Sequence, residues 1–268
     1  GAEPDNRYLL KTKGLSISFG GLTAVDSVDL EVGRGTTVGL IGPNGSGKTT
    51  FFNIVSGIYR PSQGEVWFDG ENIVGEKPHI ITRKGMARTF QNNRLFWQLS
   101  ILDNVILGMY SRQKARLFDV LFRYRRAREE IRECAERAVE ILSYFSSELG
   151  SDYSRLVSDL SQGDRRRVEI CRALASNPKL LLLDEPSAGM SPEETEKLME
   201  DILRLRERYR DISIIIIEHD MMVIENIAQH VVVFNYGKKI AEGTFSEVTR
   251  NEEVLRAYLG EESEDARA

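Results

Sequence analysis

The sequence predicts an α/β protein with a mainly parallel sheet, an antiparallel β-rich N-terminal part and an inserted α-helical part. Three observations carry this expectation. Two short apolar runs, Lys179 to Leu183 (KLLLL) and Ser213 to Ile217 (SIIII), flank a polar helix expected from Pro192 to Tyr209. Strands that are apolar on both faces and alternate with helices belong to a parallel sheet covered on both sides. A third short strand, Thr36 to Ile41 (TTVGLI), runs straight into a glycine-rich loop and then into helical composition from Thr49 to Ser56. Between these regions the chain changes character: Leu117 to Phe145 is rich in Arg, Glu, Ala and Leu. Its apolar residues Ile131, Cys134, Ala135, Ala138, Val139, Ile141 and Leu142 fall near helical spacing, the mark of a long amphipathic helix.

The remaining elements follow from shorter signals. Leu9 to Phe19 has β-type residues, and Val25 to Val32 (VDSVDLEV) alternates as a half-buried strand does. Glu65 to Phe68 ends in Asp69-Gly70, a strand and turn. Val231 to Phe234 and Lys239 to Ala241 form a hairpin about Tyr236-Gly237. One domain is expected over residues 8–260, with the helical part inserted at roughly 92–176. The tail 261–268, EESEDARA, is expected to be disordered.

Composition narrows the function. Of 268 residues, 41% are hydrophobic and 29% charged, which suits a soluble globular protein with a sizeable core. A formal net charge of -5 argues against holding nucleic acid by bulk electrostatics. The two cysteines, Cys134 and Cys171, have no metal-like spacing, so they read as small buried hydrophobes in a reducing compartment. The opening GAEPDNR lacks a basic-then-apolar signal pattern, and no apolar run approaches the roughly 18 residues of a membrane span. Any membrane role is therefore expected to come through a partner.

The loop from Gly42 to Thr49 (GPNGSGKT) fits G-x-x-x-x-G-K-[ST], placed between a strand and a helix as that mechanism requires. It makes the core that of a P-loop NTPase. Glycines let backbone N–H groups converge on phosphate oxygens, and the helix aims its positive end at the same place. Lys48 reaches the β- and γ-phosphates, and the Thr49 hydroxyl is a candidate Mg2+ ligand. Asn44, Gly45, Ser46, Gly47 and Thr50 complete the candidate nucleotide contacts.

Asp184-Glu185 ends the first apolar strand, where ligand chemistry gathers in open α/β sheets. Asp184 is placed to hold Mg2+ through water, and Glu185 to polarise an attacking water. The Ile-rich strand ends in Glu218-His219-Asp220, and His219 is positioned to donate to a γ-phosphate, whereas His79 and His230 read as structural.

With these motifs in order, the chain resembles the nucleotide-binding subunits of ATP-binding cassette transporters over about residues 8–260. The matching features are Phe19, the phosphate loop, Gln91, LSQGD at 160–164, LLLLDEP, SAGM at 187–190 and His219. The resemblance implies an ATPase using ATP and Mg2+. Phe19 would stack on adenine, with core packing as the alternative. Gln91 would contact the Mg2+ and the attacking water and sense the membrane partner, and His219 would be the switch histidine. Ser187 to Met190 would speak across a dimer.

The same resemblance makes Ser161 and Gly163 binding residues in trans. The turn they form would close on the γ-phosphate held by a second cassette, identical or paralogous, so that two chains sandwich two ATP molecules head to tail. Two departures stand in that turn: Gln162 where glycine is commoner, and Asp164 where glutamine is commoner. Asp164 faces either the ribose or a neighbouring arginine. Arg165, Arg166 and Arg167 read as a solvated helix face, with offsetting Asp164 as the alternative.

Further stretches resemble the ATPases of branched-chain amino-acid importers. These are GLTAVDSVDLEV, RTFQNNRLFWQLSILDNV, EHDMMVI, AEGTFSEVTRNEEVLRAYLGEE and the insertion from Ser111 to Arg128. Importers of urea or amides, or lipopolysaccharide transporters, are the alternatives, and a soluble non-transport cassette is a weaker one. The implied partners are transmembrane permease subunits and, indirectly, a periplasmic or extracellular substrate-binding protein. Nucleic acid is not among them, and the implied location is the cytoplasmic face of the membrane. Leu95, Phe96 and Trp97 either dock a permease helix or pack between the lobes.

Overall fold

A computed structural model describes residues 7–89, 95–109 and 124–265 of the chain. The parallel sheet is built as the apolar runs require. β3 (Thr37–Ile41), β7 (Leu180–Asp184) and β8 (Ser213–Ile217) are buried along their whole length. In the six-stranded sheet of the described residues the order is β10-β9-β3-β8-β7-β6. β6 (Met86–Arg88) is its short parallel edge, and β9 (His230–Asn235) with β10 (Lys238–Gly243) forms the antiparallel edge. Because β8 lies between β3 and β7, the phosphate loop, the acidic pair and His219 emerge side by side at the strands' carboxyl ends.

A second, antiparallel sheet comes from the N-terminal third, in the order β2-β1-β4-β5. β1 (Tyr8–Phe19) and β2 (Leu22–Gly33) bury alternate residues, including Leu10, Leu15, Ile17, Val25 and Val28. Together with β4 (Gln63–Phe68) they close one apolar core over α1 (Lys48–Val55), where Phe51, Phe52 and Val55 are fully buried. β5 (Glu71–Asn72) follows the Asp69-Gly70 turn.

On the opposite face the helices build the other core. α3 (Ile101–Met109), α4 (Tyr124–Phe145), α5 (Ser147–Ser151) and α6 (Gln162–Ala175) lie between β6 and β7 in the chain. Ile101, Val105, Ala138, Ile141, Leu142, Val168 and Cys171 interdigitate there. Of the expected long helix, the described part is Tyr124–Phe145. α2 (Pro78–Lys84), β6 and α3 were not expected from the sequence. α7 (Pro192–Arg208) starts in a capping box, in which Ser191 and Glu194 satisfy each other's backbone N–H.

α8 (Met221–Ile227) and α9 (Phe245–Val248) flank the β9–β10 hairpin. At the C-terminus α10 runs from Glu252 to Asp265. This corrects the expectation of a disordered tail over 261–268: its first five residues are helical, and 266–268 lie outside the described residues. No helix among the described residues is long and apolar enough to cross a membrane.

Candidate active site

The loop after β3 takes its shape from positions that refuse a side chain. A Cβ on Gly42 would come within 2.1 Å of the Phe234 carbonyl oxygen, and one on Gly47 within 2.4 Å of that of Ala24. Both have left-handed backbone angles, φ 145° and 104°. Gly47 is the N-cap of α1, so no side chain caps that helix, and no acidic residue lies in its first turn. Its N–H groups and positive dipole end are thus left for an anion. Lys48 folds back into the loop and donates from Nζ to Gly42 O at 2.6 Å, Pro43 O at 2.9 Å and Ser46 Oγ at 3.3 Å. These contacts hold the ammonium beside the cradle where phosphate would lie.

An open cavity of about 280 Å³ surrounds the loop, and its wall includes Asn44 to Thr50, Glu185, His219 and Tyr236. Glu185 is aimed by a strained turn: its φ is +47°, and its backbone N–H is fixed to Ile217 O at 2.9 Å. The His219 ring donates from Nε2 to Glu185 Oε1 over 2.9 Å, joining the ends of β7 and β8. Phe19 lies at the end of β1, 45% exposed, which sets aside the core-packing alternative. Its ring meets Tyr59 edge-on at 5.3 Å, an aromatic neighbour that sequence reasoning missed. Phe19 is not among the residues that line this cavity.

Asp184, which precedes the cavity-lining Glu185, is 1% exposed. Burial pushes its carboxyl above the usual carboxylate range, while Arg88, bonded to Oδ2 at 2.7 Å, pulls the other way. Its second oxygen, Oδ1, is buried without a hydrogen-bond partner. An orphaned buried acceptor is what a carboxylate awaiting a hydrated cation leaves behind. The residue set therefore fits Mg2+, with Asp184 and the Thr49 hydroxyl as the holding groups. Among the described residues there is no cluster of three or more His, Cys, Asp or Glu side chains able to bind a metal without help from a nucleotide. Gln91, the remaining metal candidate, lies outside the described residues.

Next to His219, Glu218 is also buried; desolvation raises its carboxyl, and hydrogen bonds from the Ser187 and His219 backbone oppose the shift. It thereby ties the SAGM loop to His219.

Ser161 and Gly163 stand apart from this cavity. Ser161 is the N-cap of α6, its Oγ accepting from Asp164 N at 3.1 Å. Gly163 donates its N–H to Glu194 Oε1 at 3.2 Å, and a Cβ there would lie 2.9 Å from that oxygen. The Glu194 carboxyl is held below its usual range, first by the Ser191 N–H and then by Gly163 and Ser161. A carboxylate thus rests on the donors expected to meet phosphate.

Asp164 now has its place: it accepts from Arg167 Nη1 at 3.1 Å, and Arg167 Nε donates to buried Asp201 at 2.6 Å. The expectation of a solvated arginine face is corrected. Arg166 is 1% exposed and paired with buried Glu169 at 2.7 Å. Arg165 covers the Trp97 ring at 4.5 Å and donates to Ser158 O.

The Leu95–Phe96–Trp97 cluster divides accordingly. Leu95 packs in the helical core, whereas Phe96, 55% exposed, lines an apolar groove of about 380 Å³ with Ile58, Pro78, Ile81 and Leu107.

Comparison with known proteins adds three kinds of likeness. The family described as "ABC transporter" matches residues 25–188, and that described as "Branched-chain amino acid ATP-binding cassette transporter" matches residues 238–264. The high-affinity branched-chain amino acid transport ATP-binding protein BraF of Pseudomonas aeruginosa is 40% identical over 96% of this chain and 99% of its own. Two solved structures share the fold. The ADP conformation of MJ1267, an ATP-binding cassette of an ABC transporter, has a TM-score of 0.80 at 30% identity, covering 94% of this chain and 99% of that one. The dimeric post-hydrolysis state of the cassette MJ0796, bound to ADP and Pi, has a TM-score of 0.72 at 26% identity, covering 88% and 98%.

Proposed function

Because the chain belongs to the ABC transporter family of ATP-binding cassettes, we propose that it is the ATP-hydrolysing subunit of an importer of branched-chain amino acids. The observation that carries the ATPase part is the convergence of the phosphate loop, Glu185 and His219 on one cavity, with Asp184 buried next to Glu185 in the chain. The substrate class rests on the match at 238–264 and on relatives such as BraF, similar over nearly the whole chain.

In this reading Asn44 to Thr50 bind the phosphates of ATP, with Phe19 against the adenine. Thr49, Asp184 and Gln91 hold Mg2+, which when bound neutralises phosphate charge. Glu185 orients and polarises the attacking water, and His219 holds the γ-phosphate side. The 2.9 Å contact between Glu185 and His219 means both must part to take up these roles.

Ser161 and Gly163 complete the site of a second cassette, head to tail, with Ser187 to Met190 between the two sites. Permease subunits cover the groove at Phe96, so the protein works at the cytoplasmic face of the membrane, fed indirectly by a substrate-binding protein. The test is uptake of radiolabelled leucine, isoleucine and valine by cells carrying the wild-type gene or its Glu185→Gln form. Loss of uptake of all three with Glu185→Gln is expected. Unchanged uptake of all three overturns the assignment.

A further inference from the structure

Arg88 belongs to no nucleotide-binding motif, yet it holds the one carboxylate on which the metal site depends. It ends β6, and its guanidinium is 6% exposed. Nη2 donates to Asp184 Oδ2 at 2.7 Å, while Nη1 donates to Asn53 Oδ1 at 2.8 Å and Ser56 Oγ at 3.0 Å. The guanidinium also lies 5.4 Å from the centre of the Phe52 ring. Phe52 and Asn53 belong to α1, which begins at Lys48 and Thr49, and Ser56 is its C-cap. One planar fork therefore joins the acidic end of β7 to the back of the phosphate-loop helix, a geometry a lysine supplies only in part.

We propose that Arg88 is a positioning residue for ATP hydrolysis. By taking Oδ2 it fixes the Asp184 carboxylate, so that Oδ1 remains the acceptor for the hydrated Mg2+ of the nucleotide complex. The inference rests on the metal reading above. Two details support positioning over mere strand pairing. β6 and β7 are already joined by backbone pairing at Met86–Leu180, Ala87–Leu181 and Arg88–Leu182, so the sheet edge does not need the side chain. The oxygen left over is the buried, unpartnered one.

The test is equilibrium binding of ATP to the purified protein, with Mg2+ and with EDTA. For Arg88→Gln, affinity in EDTA should stay within about twofold of wild type, because the phosphate loop is untouched. The gain in affinity on adding Mg2+ should fall by about fivefold or more, the scale of one charge-assisted hydrogen bond. Arg88→Lys should restore part of that gain. Asn53→Ala, which loosens Arg88 without touching Asp184, should show the same selective loss by a smaller factor, and it carries the test if Arg88→Gln does not fold. A Mg2+-dependent gain equal to wild type in the variants, or equal losses with and without Mg2+, would overturn the inference. Wild-type protein that gains nothing from Mg2+ would instead overturn the metal reading on which it rests.

Discussion

Glu218 shows how a single buried carboxyl writes itself into the pH dependence of the protein. Its oxygens accept from Ser187 N at 2.8 Å and His219 N at 3.2 Å, but burial outweighs these bonds and raises its folded-state pKa. A raised carboxyl binds its proton more tightly folded than unfolded. The stability it contributes is present below the unfolded value and is lost as pH rises through the folded one. Glu218→Gln stays neutral throughout. The difference in melting temperature between the variant and wild type should therefore move in the variant's favour as pH rises above about 4.5. A difference that is flat with pH, or moves the other way, contradicts the placement of this group. No signal in the sequence separates Glu218 from Asp220, one buried and one exposed, because both flank the same histidine. Burial at a strand end depends on what packs above it. Arg88 was illegible for the same reason: its partners lie 35 and 96 residues away in the chain.

At the scale of elements, α6 joins the turn at Ser161 to the core through charges that the sequence suggested were solvated. Arg166 and Glu169, one turn apart, are each 1% exposed. Removing one member of a buried pair strands the other, whereas replacing both with apolar groups is often nearly neutral. Arg166→Met is accordingly expected to cost about 3–5 kcal/mol in urea unfolding, and Arg166→Met/Glu169→Leu less than the sum of the two single losses. Additive losses would show that the pair does not act as a unit. β3, β7 and β8 were legible because a strand buried on both faces is a continuous apolar run. β6 was not: three residues at a sheet edge carry no period. α2 is seven residues long with Ile81 as its buried residue, too little for an amphipathic signal. The tail of α10 has an acidic composition that suggested disorder, yet it continues a helix started by Val254 and its neighbours in the core.

For the whole molecule, the central feature is a division of labour between two surfaces of one chain. The phosphate loop, Glu185 and His219 face one cavity, and Ser161 with Gly163 lies outside it. The family resemblance implies such a split, and on that reading the turn serves the site of a second cassette. The resting partner of that turn was not foreseen. Glu194 is distant in sequence and looks like an ordinary capping residue of α7, which it also is. On that reading, closure on a second cassette would exchange the Glu194 carboxylate for a phosphate at Gly163. Sedimentation of the Glu185→Gln protein, with and without ATP and Mg2+, tests this account most directly. Conversion from monomer to dimer only with ATP, abolished by adding Ser161→Arg while ATP still binds, is the predicted result. A protein that stays monomeric with ATP bound, or a dimer indifferent to Ser161→Arg, would contradict it.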